Sequence, residues 1–185
     1  MRLRCVTPPA SEVVTLQQAK AWLRVDGDEE DALISGLIAA AVAHLDGWSG
    51  VLGRALEEQT WERKLDGFPS GDLLLPLGPV VEVVSVAYVN GEGAAQVMPA
   101  ESYTVELHST CAWVRPVDGW PEGRSVAVTW VAGEGCPEPI RQAIRMLVAH
   151  WHRNREAVGP VGAAGVAEIP MGVAVLIEPL RVVPS

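Results

Sequence analysis

The chain has 185 residues, 49% of them hydrophobic, and a formal net charge of -9. That length and apolar content suffice for one domain with a buried core, and the acidic balance argues against general affinity for nucleic-acid phosphates, which depends on Lys and Arg displacing counterions. Cys5, Cys111 and Cys136 are odd in number and form no CxxC pair, which excludes a disulfide framework or zinc knuckle and fits assembly in a reducing cytoplasm.

The N-terminal MRLRCVTPPASE carries two arginines with no apolar run behind them, so no export signal is expected. VVTLQQAKAWLRV follows, where Thr15 and Gln18 have the form of a capping box and predict a short helix to about Arg24. After the turn at Asp26 and Gly27, Asp28 is expected to cap a second helix with Glu29, Glu30 and Asp31 in its first turn. Ile34, Leu37, Ile38, Ala41, Leu45 and Trp48 recur at helical spacing, and Gly47 and Gly50 mark the end.

From Glu57 to Val131 the period changes. EEQTWERKLDGF, VVEVVSVAYV, ESYTVEL, CAWVRP and RSVAVTWVAG are short, rich in Val, Thr, Trp and Tyr, and separated by Gly, Pro and Asn, which predicts an antiparallel β region forming a sandwich or a half-barrel. Asn90 and Gly91 read as a hairpin turn with a loop reaching to about Pro99. The helical period returns at PEPIRQAIRMLVAHWHRNRE, where Ile140, Ala143, Ile144, Leu147, Val148 and Trp151 form an apolar stripe. AVGPVGAAGVAE then reads as a linker, and IPMGVAVLIEPLRVV as an apolar tail that one protomer does not obviously cover.

The candidate sites for chemistry are weak. His150 and His152 stand two apart on a helix and so point about 200° from one another, which prevents shared metal ligation, and no HExxH spacing occurs. DGDEEDALISGL has Asp26 and Asp28 at the first and third positions of a calcium loop, but Asp31 and Leu37 occupy the places of its glycine and glutamate. GPVGAAG lacks the lysine of a phosphate loop, and there is no GxSxG. No cofactor, metal or catalytic residue is expected. The acids Asp28, Glu29 and Glu30 and the late arginines Arg141, Arg145, Arg153 and Arg155 are candidates for contacts between subunits, the alternative being two solvated faces.

The order VTLQQAKAWLRVDGDEEDALISGLIAAAVAHLDGWSG, GRAL, LPLGPVVEVVSVAYVNGEG, ESYTVEL, VAGEG and PIRQAIRMLVAHWHRNRE resembles the head-tail connector, or adaptor, proteins of tailed phages and of phage-derived gene transfer agents. The resemblance covers almost the whole chain and departs at His152, where relatives commonly carry tyrosine. It implies a homo-oligomeric ring of twelve copies, bound beneath a portal protein and joined to a tail-side connector or stopper protein. DNA would pass through the ring without specific binding, at the head-tail junction of a virion.

The expectation is therefore a single α+β domain spanning residues 1–185: helices over 11–56, an inserted antiparallel β region over 57–133, a long helix over 137–156, and a linker with a docking arm over 157–185. Ile169, Pro170, Met171, Val173, Leu176, Ile177, Leu180 and Arg181 are the residues expected to dock on the portal or another partner, with no membrane involved. Two rival readings are a small-ligand or carbohydrate-binding β module with a helical oligomerisation collar, and an enzyme with dispersed carboxylates.

Overall fold

The computed structural model describes residues 2–154 and 170–182. They divide into two units, one combining the chain up to Ser11 with Arg54–Gly135, the other combining Glu12–Gly53 with the chain from Cys136 onward. The mixture of helices and antiparallel sheets is the α+β class that the two periodicities predict.

In the helical unit, α1 (Leu16–Leu23) starts at the expected capping box. The Gln18 amide donates to Thr15 Oγ1 at 3.2 Å and the Thr15 amide to Gln18 Oε1 at 3.1 Å, so two otherwise orphaned donors are satisfied reciprocally. α2 (Asp31–Leu45) begins later than expected, and Asp28 does not cap it: Glu30 occupies the cap position with no side-chain bond to the helix. The physical reason is Lys20 of α1. Its ammonium lies 2.5 Å from Asp31, 2.6 Å from the Gly27 carbonyl and 3.7 Å from Asp28, so these acids fasten the α1–α2 turn. Ile34, Ala41 and Leu45 are buried as the stripe requires, whereas Trp48 lies past the helix and is 44% exposed.

α3 (Glu138–Arg153) opens at Pro137, carries Pro139 in its first turn and ends at Asn154. Ile140, Ala143, Ile144, Leu147 and Val148 are all buried, and this face packs against α2 and α4. α4 (Met171–Ile177) is followed by one 3-10 turn, Glu178–Leu180. The linker expected over 157–168, Ile169 and the end of the long helix at 155–156 lie outside the described residues.

The β unit contains eight strands: β1 (Arg2–Thr7), β2 (Gln59–Gly67), β3 (Leu73–Leu75), β4 (Val80–Asn90), β5 (Ala95–Val97), β6 (Tyr103–Leu107), β7 (Ala112–Pro116) and β8 (Gly123–Ala132). The order β1-β2-β8-β4-β5 forms one antiparallel sheet and β3-β7-β6 a second. Between them lies a shared core that includes Leu73, Leu75, Val86, Val114, Val128 and the fully buried Trp130, so the region is a two-sheet sandwich. Arg63 of β2 donates to the Leu74 carbonyl of β3 and ties the sheets together. Burial pushes its guanidinium below the ordinary arginine range.

Three strands were not expected. β5 occupies the supposed loop before Pro99, and β3 is only three residues long. β1 is contributed by the extreme N-terminal segment and pairs with β2 from Arg2↔Lys64 to Thr7↔Thr60. Asn90 makes the expected turn, its side-chain oxygen accepting from the Glu92 and Ala94 amides at 3.1 and 2.9 Å.

Candidate interaction site

α4 is apolar on all sides over its two turns, and its two faces have different surroundings. Val173 and Ile177, four apart and therefore on one side, are buried. Gly172 lets the helix approach α3 closely, since a Cβ there would come within 2.8 Å of Met146 Cε. The Val182 amide donates to the Leu52 carbonyl at 2.8 Å and holds the segment's end. On the opposite side Met171 is 84% exposed and Val175 68% exposed. Pro170, Leu176 and Leu180 are half-buried and Arg181 is exposed.

The expected docking residues are thus divided. Val173 and Ile177 serve the helical unit's own core, while Met171 presents an apolar side chain outward together with Val175, which was not among the expected residues. Ile169 lies outside the described residues. Sequence periodicity alone contained the signal for this division, because V-x-x-x-I and M-x-x-x-V interleave at helical spacing.

The charged candidates divide in the same way. Asp28 and Glu29 are exposed. Glu30 lies 2.8 Å from His152 Nε2, so α3's last turn is joined to the start of α2 within one chain. Arg145 bonds Glu138 at 3.0 Å and Gln142 at 3.1 Å on its own helix. Arg141 is half-buried and Arg153 is exposed, and Arg155 lies outside the described residues. Lys20, which sequence reasoning passed over, is the organiser of the acidic turn. The hydrogen bond it donates to Asp31, with the charge of Asp31 and Asp28, holds its ammonium above the usual lysine range.

The β unit contains no comparable built site. A cleft of about 470 Å³ lies beside Tyr88, Glu101, Asp118 and Trp120. The Trp120 indole that a sugar would need is already used: it stacks on Phe68 at 4.7 Å and donates to the Gly71 carbonyl at 2.7 Å. His150 lies 3.3 Å from the Asn154 amide and His152 faces Glu30, so the two histidines have separate partners. No helix among the described residues is long and apolar enough to cross a membrane.

Comparison with known proteins bears on what such a surface is for. The family model described as head completion protein matches residues 12–167. The chain belongs to that family. Among solved structures, it is similar to a chain in the neck of an empty gene transfer agent particle computed with C6 symmetry, at 25% identity and a TM-score of 0.78, covering 100% of this chain and 97% of the other. Chains from the virion of a native gene transfer agent particle and from the neck of a native particle computed with C12 symmetry share the fold at 24% identity, with TM-scores of 0.76 and 0.72 and the same coverage. No curated protein sequence matches. The family read from the order of the sequence motifs is the one these comparisons support, and the family is one of structural neck proteins, not an enzyme class.

Proposed function

We propose that this head completion protein is a structural adaptor of a virion neck. It forms a ring beneath the portal, links the head to the tail-side connector or stopper, and conducts DNA through its lumen without chemistry. One observation supports this reading above the others: the likeness to a neck chain extends over 100% of this chain and 97% of that one at a TM-score of 0.78. The twelvefold ring follows from the resemblance of the sequence and is consistent with the C12 symmetry in which one similar neck was computed.

The docking element in this reading is the outer face of α4. Met171 and Val175 together expose apolar surface that a free protomer leaves in water, at a cost of about 25 cal/mol per Å², and a partner's groove would remove it. Mass photometry of the purified protein with and without portal tests the reading. The expected result is a discrete ring mass that appears on the portal complex, and a protein that remains monomeric with portal in excess would overturn it.

A further inference from the structure

We propose that neighbouring copies in the ring are joined edge to edge through their larger β-sheets, β1 of one copy adding to the first half of β4 in the next. The inference rests on the ring proposed above and names the surface that builds it.

Among the described residues, no further strand pairs with either end of the five-stranded sheet. β1 is terminal in the strand order. At the other end β5 covers only Ala87–Val89 of β4, and the Met98 amide takes the Val86 carbonyl. Val80–Ser85 therefore pair with β8 on one side and, among the described residues, with no strand on the other. An open edge is a row of unpaired amide and carbonyl groups and a template for another strand. Two β-bulges mark this stretch, at Val81 and at Val84, and both valines stand in solvent at 41% and 54% exposure.

Three properties point to a second copy of this chain as the occupant. The lengths match, six residues of β1 (RLRCVT) against six of β4 (VVEVVS). The charges are opposite: Arg2 and Arg4 stand against Glu82, and the Arg4 guanidinium, though it meets Glu62 of its own chain at 3.1 Å, stays 67% exposed and so can take a second carboxylate. The directions also agree: β1, β2, β8 and β4 alternate, so β1 and β4 run oppositely. Continuing the sheet from one copy into the next then gives another antiparallel pair, the ladder already used throughout. Setting Arg4 against Glu82 lays Arg2 beside Val84, Cys5 beside Val81, and Val6, itself 46% exposed, beside Val80. Such a contact is heterologous, each copy offering two different edges, and heterologous contacts form a ring when the rotation between copies closes and a filament when it does not.

The native Cys5 is exposed, so one substitution tests the pairing. Directly opposed residues of adjacent antiparallel strands have Cα atoms about 4.5–5.5 Å apart, within disulfide range. The full-length Val81→Cys protein, oxidised in complex with portal, is expected to run on a non-reducing gel as a ladder of dimer, trimer and higher species. The ladder should vanish in Cys5→Ser/Val81→Cys and on reduction. Rings of normal mass without a ladder would overturn the edge pairing and leave the ring standing. Oxidised products that stop at dimer would show a symmetric contact and also overturn it. Absence of both ring and ladder would overturn the adaptor reading with it. Val84→Lys, which adds a charge to an already exposed side chain, is expected to reduce ring yield at least tenfold with an unchanged Tm; full ring yield in this variant counts equally against the pairing.

Discussion

Single residues in this chain carry constraints of very different visibility. Thr15 and Gln18 announce their capping box in the sequence, because both partners are local and their chemistry is specific. Gly133 announces nothing. It adopts φ +100°, and a Cβ there would come within 2.2 Å of the Glu57 carbonyl oxygen, while its amide donates to the Pro79 carbonyl at 2.9 Å. A side chain would meet backbone atoms, which cannot rotate away, in a conformation that L-residues rarely adopt. Gly133→Ala is expected to lower stability by about 3 kcal/mol, read as a fall in the denaturant midpoint at constant m-value. An unchanged midpoint would mean that the segment at Glu57, ahead of β2, shifts freely. Lys20 is intermediate in visibility: its place on α1 is legible, but its bonds to Gly27 and Asp31 require knowing that the chain turns back.

At the scale of elements, periodicity located the three longer helices and five strand segments, since burying one face leaves a regular trace. It failed at β3, where three residues are too few to show a period, and where burial is slight. β1 has five of its six residues exposed and β5 all three, so neither shows alternation, and the arginines of β1 disguise it as a polar terminus. The apolar tail was legible as apolar but not as a helix with two uses. That division makes a prediction specific to α4. Met171→Asp with Val175→Asp is expected to abolish co-sedimentation with portal while leaving Tm within a degree or two, because both side chains already stand in water. Val173→Ala with Ile177→Ala, which empties buried positions, is expected to cost about 3 kcal/mol of stability. If the aspartates lower Tm and spare portal binding, α4 is merely the helical unit's own cover.

For the whole molecule, the decisive property is the imbalance between 23 acidic and 14 basic residues. Much of the positive charge is already held within the chain: Arg4 bonds Glu62 at 3.1 Å, Arg115 bonds Asp72 at 2.8 Å, and Arg145 bonds Glu138. The acidic turn, by contrast, leaves Asp26, Asp28 and Glu29 exposed. In the proposed ring such a surface, repeated around the channel, would generate a field that repels phosphate over about a Debye length, roughly 10 Å at 0.1 M salt, and would let a duplex move past without adhering. Binding to a cationic channel and repulsion by an anionic one both grow as salt is lowered, the first through counterion release and the second through weaker screening, so low ionic strength favours retention in the one case and exclusion in the other. A purified assembly is therefore expected to leave a short duplex unshifted in an electrophoretic assay at low salt, the condition most favourable to retention by basic proteins. A shift that appears there and weakens as salt is added would mean that arginines line the path, and that the protein grips the DNA it was expected only to guide.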